Sequence, residues 1–336
     1  MQKKLIMDKI KLGIIKETKT PPDWRVPLPP QQCIETQVQF PNVEISVEPS
    51  DIRAFSDEEY LNAGINLKKN LSDCEIMIGV KEVAIDALIP NKKYIFFSHT
   101  TKKQPYNRRL LQEILKKNIT LMDLEHFADK NDMRLVAFGR WAGIVGAYNG
   151  LVGYGKRTGL YEMRRAHECH DVDEFFLELQ NVKLPPIKIL ITGGGRVAHG
   201  AMETLEPLNL RQVSPDEFLN QEFNEPVFCR IDPWHYTRRK DGEAFHLEHF
   251  FKHPEMYEST FYPYTKVTDM FIASHFWDPK SPVFMTKEHM QEPDFKMKVI
   301  ADISCEIAGP IPSTLRASTI ADPFYGYNPQ TCEESE

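Results

Sequence analysis

The run Ile187-Lys188-Ile189-Leu190-Ile191-Thr192, followed by Gly193-Gly194-Gly195-Arg196-Val197-Ala198, limits the fold more than any other stretch. A short apolar run of this kind reads as a strand buried on both faces. It enters a G-x-G-x-x-A pattern formed by Gly193, Gly195 and Ala198, and then a helical stretch. In that setting the first glycine allows a tight turn and the second lets the backbone approach a pyrophosphate. The small third residue packs helix against strand, and the first helical N–H groups face the phosphates. The plainer alternative is an ordinary glycine-rich turn. The pattern predicts a dinucleotide site with Gly193, Gly195, Arg196 and Val197 around the turn. An acid is expected after the second strand, to hold a ribose hydroxyl. There Arg211-Gln212-Val213 runs into Ser214, which becomes the candidate contact and leaves NADP open beside NAD.

Further short apolar runs precede this one: Lys11–Ile15, Val43–Val47, 75–80, 94–98 and 119–122. Ser56 and Glu59 form a capping-box pair opening a helix that Gly64 would end, and 106–117 reads as another helix. Strands alternating with helices predict an α/β chain with doubly wound parallel sheets. Lys81 closes the run at 75–80, and His99 closes the run at 94–98. Parallel strands deliver their last residues to one edge, where open α/β sheets place their chemistry. A lysine and a histidine there can move protons near neutrality. Each alone also fits a solvated lysine or a capping histidine. Arg25, in the proline-rich loop after the first strand, and Arg134, ahead of Leu135-Val136-Ala137, are candidate bidentate holders of carboxylates. Surface ion pairs are the alternative for both.

Gly139, Gly143, Gly146, Gly150 and Gly153 step by four, three, four and three. They lie along one helical stripe, which makes sense where another backbone comes close. The segment reads as a long helix crossing between domains. Residues 1–138 form one expected domain and 139–310 the dinucleotide-binding one, with 223–265 as an irregular insertion. Residues 311–336 are expected to return toward the first domain. Asp302 lies within the run Val299–Ile303 and Glu306 just beyond it. A buried carboxylate needs partners, so Asp302 either borders a nicotinamide or caps local backbone.

The 336 residues suit two domains. No stretch nears the ~20 apolar residues of a membrane span, and the N-terminus lacks a secretory pattern, so the expectation is a cytoplasmic protein without membrane partners. Six scattered cysteines fit reduced thiols. A net charge of −7 argues against nucleic acid as partner. His167 and His170, and His246, His249 and His253, match no metal-ligand spacing, so no metal is expected. A homo-oligomer is left open.

Taken together, these residues resemble the alanine dehydrogenase / pyridine nucleotide transhydrogenase superfamily. The matching pieces are Gly13-Ile14-Ile15-Lys16-Glu17-Thr18-Lys19 with Arg25, then Gly79-Val80-Lys81-Glu82 and Phe97-Ser98-His99. Arg134 ahead of Ala137-Phe138-Gly139, Gly195-Arg196 with Gly200-Ala201, and Ala301-Asp302-Ile303-Ser304 complete them. Within it the chain is most similar to lysine-forming saccharopine dehydrogenases. The resemblance implies two Rossmann-like domains with an interdomain cleft and NAD on the second. It implies Lys81 and His99 as the proton-transfer pair, and Arg25 and Arg134 on substrate carboxylates. Gly193, Gly195, Arg196, Val197, Ser214, Asp302 and Glu306 would lie by the cofactor. The implied chemistry is reversible condensation of a 2-oxo acid with an amine, reduced by hydride. Two alternatives remain: an alanine dehydrogenase-like enzyme using ammonia and a small 2-oxo acid, and a non-catalytic nucleotide-binding module. Ser214 departs from the superfamily's acid at that position. The chain also ends soon after Tyr327, where relatives continue.

Overall fold

The computed structural model of the protein describes residues 9–20 and 22–335. The chain divides into two compact units, Met1–Ala137 and Phe138–Glu336.

In the first unit six strands, β1 (Ile10–Ile14), β2 (Val43–Val47), β3 (Asn66–Leu67), β4 (Ile76–Ile78), β5 (Lys93–Phe96) and β6 (Thr120–Asp123), lie in the order β3-β2-β1-β4-β5-β6. All pairs are parallel. The chain builds outward from β1 to β3, then resumes at β4 on the other side of β1, so the winding direction switches between β1 and β4. Ile14 stands level with both Val47 and Ile78, which brings the residues after β1 and β4 to the same edge. Three helices, α1 (Pro30–Gln39), α2 (Asp57–Asn62) and α3 (Arg108–Lys116), connect the strands. Two apolar clusters form, as a sheet covered on both faces requires. One holds Ile14, Cys33, Ile45, Val47 and Tyr60. The other holds Met77, Tyr94, Phe96, Leu110 and Ile114. The capping box at Ser56 and Glu59 is present, and Gly64 follows the helix at φ +73°.

The second unit opens with α4 (Gly139–Thr158), followed by α5 (Val172–Glu178), β7 (Lys188–Thr192), α6 (Arg196–Leu205), β8 (Arg211–Gln212), α7 (Pro215–Asn220) and β9 (Val227–Ile231). A hairpin of β10 (Thr237–Arg239) and β11 (Tyr257–Ser259) precedes β12 (Met270–Ala273) and β13 (Val299–Asp302); β14 (Gly326–Asn328) and β15 (Glu333–Ser335) close it. The main sheet runs β13-β12-β7-β9-β8, with every pair parallel. All five residues of β7 are buried.

The glycine stripe has its expected cause. A Cβ on Gly143 would sit 1.9 Å from the Val197 carbonyl oxygen, and one on Gly200 would sit 2.0 Å from that of Arg140. Helices α4 and α6 thus touch backbone to backbone. Farther along, Gly146 faces Ile303 and Gly150 faces Ala301, so α4 also lies on β13. The helix belongs to the second unit throughout, instead of crossing between domains as expected from the glycine stripe.

Two other expectations change. The segment 223–265 is not all irregular insertion, because its Val227–Ile231 is β9, an inner strand beside β7. Its buried–intermediate alternation is short and flanked by Pro226 and Pro233, so local pattern hid it. Residues 311–335 pack within the second unit. Arg165 donates to the Ile320 and Ala321 carbonyls, and Gln291 donates to that of Pro329 at 2.8 Å.

Candidate active site and glycine turn

The carboxyl edge of the first sheet gathers a charged cluster. Glu17, three residues past β1, accepts the backbone N–H of Val80 at 2.6 Å and of Lys81 at 2.9 Å. Those two bonds fix the peptide that carries Lys81 to the end of β4. Burial pushes the Glu17 carboxyl up against the pull of these bonds. The Lys81 ammonium is held below its ordinary 10.5, first by burial and then by the positive charges of Arg25 and Lys19. Glu82 and Asp23 oppose that shift without cancelling it.

His99 follows β5 in a left-handed conformation, φ 52°. Its Nδ1 lies 2.6 Å from Glu82 Oε1, and Lys19 Nζ lies 2.9 Å from Glu82 Oε2. Burial alone would raise the Glu82 carboxyl, but the bonds from His99 and Lys19 outweigh it and hold the group below 4.5. Glu82 thereby orients the imidazole and links it to the lysine beside it in sequence. Ser98 adds a second tie: its hydroxyl bonds the Asp123 carboxylate at the end of β6 and lies 2.8 Å from Thr100 Oγ1.

Arg25 pairs with Asp23 through Nε at 2.9 Å and Nη2 at 2.5 Å, within electrostatic reach of Lys81 and Glu17. The structure therefore brings Lys81, His99 and Arg25 together. Arg134 lies beyond β6, 3.7 Å from Glu125 and bridged through its backbone to Ala128. Sequence reasoning gave no role to Glu17, Lys19, Asp23 and Glu82. The signal was their closeness in sequence to Lys81 and Arg25, which pairs charges only once β1 and β4 stand side by side.

In the second unit the turn after β7 has the geometry a pyrophosphate needs. Gly193 adopts φ +99°, and a Cβ there would come 2.8 Å from the Ser274 carbonyl oxygen and 3.2 Å from His275 Cα. A Cβ on Gly195 would meet nothing within 4 Å, so a ligand can approach that backbone. Arg196 and Val197 head α6. Beside the turn, just past the end of β12, Ser274 Oγ and His275 Nε2 are buried without a hydrogen-bond partner among the described residues. The other ring nitrogen of His275 lies 2.8 Å from Thr192 Oγ1, and burial lowers the imidazole to about 4. A cradle of open backbone flanked by orphaned polar atoms fits a polar dinucleotide.

Ser214 lies elsewhere. It caps α7, accepting from the Glu217 N–H while Glu217 accepts from the Ser214 N–H, at the end of edge strand β8. Between β7 and β8 lies β9, so the carboxylate next to the turn on that side is Asp232. Its Oδ1 lies 2.7 Å from where a Gly194 Cβ would be. Arg230 Nη1 bonds that oxygen at 2.7 Å and the Gly193 carbonyl at 3.0 Å. Asp302 ends β13, where it accepts from Ser304 Oγ at 2.6 Å, from the Cys305 N–H at 3.1 Å and from Thr314. Glu306 is exposed, and its carbonyl accepts from the Gly309 N–H at 2.9 Å.

Two parallel sheets, each wound in both directions and covered by helices, define a protein of Rossmann-like units. Comparison with known proteins agrees. Residues 13–145 match the family model described as Alanine dehydrogenase/PNT, N-terminal domain. It is 30% identical over 328 residues to the mitochondrial alpha-aminoadipic semialdehyde synthase of Bos taurus; the match takes in 85% of this chain and 35% of that protein. It is 24% identical to the saccharopine dehydrogenase [NAD(+), L-lysine-forming] of Neurospora crassa, over 79% of this chain and 66% of that one. The chain thus spans about a third of the length of the first of these relatives. An L-alanine dehydrogenase structure superposes with a TM-score of 0.56 at 17% identity, covering 88% of this chain and 74% of that one. No helix among the described residues is long and apolar enough to cross a membrane.

Proposed function

We propose that this protein is an NAD-dependent oxidoreductase acting on CH–NH bonds, of the saccharopine dehydrogenase type. A 2-oxo acid and an amine condense with loss of water, and hydride reduces the resulting imine to a secondary amine; the reverse reaction oxidises it. The observation that carries this reading is the Lys81–Glu82–His99 cluster at the carboxyl edge of the first sheet. A lysine held below its ordinary range offers more neutral amine near neutrality, and an imidazole fixed through Nδ1 keeps Nε2 for exchange.

Lys81 and His99 move the protons of carbinolamine formation and loss of water. Arg25, poised by Asp23, and Arg134, poised by Glu125, hold substrate carboxylates as bidentate forks. Gly193, Gly195, Arg196 and Val197 form the dinucleotide turn, with Asp302 near its nicotinamide end. When bound, NAD supplies the hydride acceptor. The relatives named for saccharopine and alpha-aminoadipic semialdehyde support a polycarboxylate substrate.

The test is NADH oxidation by the full chain over a matrix of 2-oxo acids and amines. Turnover with 2-oxoglutarate and lysine is expected, weakened by Arg134→Ala. Turnover with pyruvate and ammonia, unaffected by Arg134→Ala, would instead make the protein alanine dehydrogenase-like. NADH binding without turnover on any pair would overturn the enzymatic reading.

A further inference from the structure

We infer that two copies of this chain join edge to edge through β13, antiparallel across a two-fold axis, so that the second sheet continues from one copy into the other. The inference is independent of the reaction proposed above.

The open edge of the strand is the first argument. Strand β13 ends the order β13-β12-β7-β9-β8 and has a neighbour on one side only. The Val299 and Ile303 N–H groups bond the Asp269 and Ala273 carbonyls on that side at 3.4 and 3.0 Å. Alternation along the strand then turns the backbone N–H and C=O of Ile300 and Asp302 outward. Among the described residues none of these backbone groups has a hydrogen-bond partner. Open edges are usually guarded by charge, proline, a bulge or shortness. At the far end of the same sheet β8 has two residues, both exposed, one of them Arg211. Strand β13 has four, Val299-Ile300-Ala301-Asp302, all half-buried. Its one charge, the Asp302 carboxylate, is already bonded by Ser304, Cys305 and Thr314. A groove of about 1120 Å³ lies along Val299, Ile300 and Asp302, between Gly153 and Lys156 of α4 and the aromatic Phe324 and Tyr325.

The second argument is charge, and it selects the occupant. The chain is basic before the strand, at Lys296 and Lys298, and acidic after it, at Glu306. Lys296 and Lys298 share one carboxylate, Asp269, at 3.4 and 3.8 Å. Glu306 is exposed and pairs with no cation among the described residues. An antiparallel copy turns the basic start of each strand toward the acidic end of the other. The register that uses every outward group sets Ile300 opposite Asp302 of the second copy, with Ala301 on the axis. That register also brings Lys296 toward Glu306 of the second copy, and symmetry repeats the contact.

The experiment is sedimentation equilibrium of the full chain across the micromolar range, where a monomer–dimer equilibrium is expected. Ile300→Pro removes an outward N–H from each copy and leaves the bonds to β12 in place. It should raise the dissociation constant roughly tenfold or more. Lys296→Glu should raise it about fivefold by facing Glu306 with a like charge, and adding Glu306→Lys should restore it. The charge pair serves as the test if circular dichroism shows the proline variant misfolded. Hydrogen exchange at the Ile300 and Asp302 amides should slow as concentration rises. A chain that stays monomeric, or one that assembles beyond the dimer, would overturn the inference. So would a folded Ile300→Pro that dimerises like wild type, a double charge swap that restores nothing, or exchange at those amides indifferent to concentration.

Discussion

The two sheets end in opposite ways. At the carboxyl edge of the first, side chains do the work: Glu17, Lys19, Asp23, Arg25, Lys81, Glu82 and His99 form a mesh of charges. At the carboxyl edge of the second, the backbone does it: Gly193 and Gly195 leave room, and the Arg230–Asp232 pair is the charge beside them. The same parallel winding supports both. Proton transfer needs titratable groups shifted by neighbours, while a dinucleotide's phosphates need close, unobstructed N–H groups. Two lysines, Lys188 buried and Lys81 half-buried, show the contrast again. Lys188, at the start of β7, bonds the carbonyls of Phe218 and Gln221 and serves structure. Lys81, at the end of β4, has its own N–H bound by Glu17 and its ammonium among cations.

That division can be broken first at Lys81. Lys81→Met should lower turnover by about 10²–10⁴-fold and leave NADH affinity unchanged; a variant with normal rates would end the role. Folding should respond with the opposite sign. The folded ammonium has its pKa depressed from 10.5, so in the window from that lowered value up to 10.5 the unfolded chain holds more protons and stability rises with pH. Below the window the full cost of burying the charge is present. Urea melts should therefore find Lys81→Met more stable than wild type at pH 7, with the gap closing as the pH climbs toward 10.5.

The backbone side is sharpened by Gly143→Ala. A methyl group 1.9 Å from the Val197 carbonyl oxygen must force α4 off α6. The expected cost is about 3 kcal/mol, the upper end for overpacking. Because Val197 heads the helix after the glycine turn, NADH binding should weaken as well. Denaturant midpoints and fluorescence titration check the two effects.

A smaller effect is expected at Glu82. Its folded carboxyl is held below 4.5, so the stability it contributes is present above about that pH and is lost as the pH falls through the lowered value. Glu82→Gln should cost about 1–3 kcal/mol at pH 7, and the difference should disappear in melts carried into the acid range. A gap that persists there would mean the loss comes from packing.

Ser214→Ala should matter least. Removing the cap of α7 is expected to cost about 1 kcal/mol with no change in NADH affinity. A change in affinity would return the nucleotide contact to β8.

Much of this was legible in order along the chain. Short apolar runs closed by polar residues mark parallel strands, and the G-x-G-x-x-A turn and the stripe of five glycines each state a local steric need. Lys81 and His99 could be placed at a sheet edge because each ends its own run. Legibility failed where neighbours in space are distant in sequence. Ser214 was expected beside the turn because β8 follows β7 in the chain. Yet β9 takes the place next to β7, and Asp232 arrives with it.

The sequence by itself determined most of the strand and helix segments, the positive-φ glycine and the charged residues at the strand ends, because these follow from periodicity, turn sterics and residue chemistry. Tertiary structure alone decided which strand borders β7, which backbone the glycine stripe meets, and how Glu17 and Glu82 position Lys81 and His99. Pairing order and charge proximity depend on contacts between residues far apart in the chain, as Glu17 and Lys81 are at 64 positions, and no local pattern encodes those.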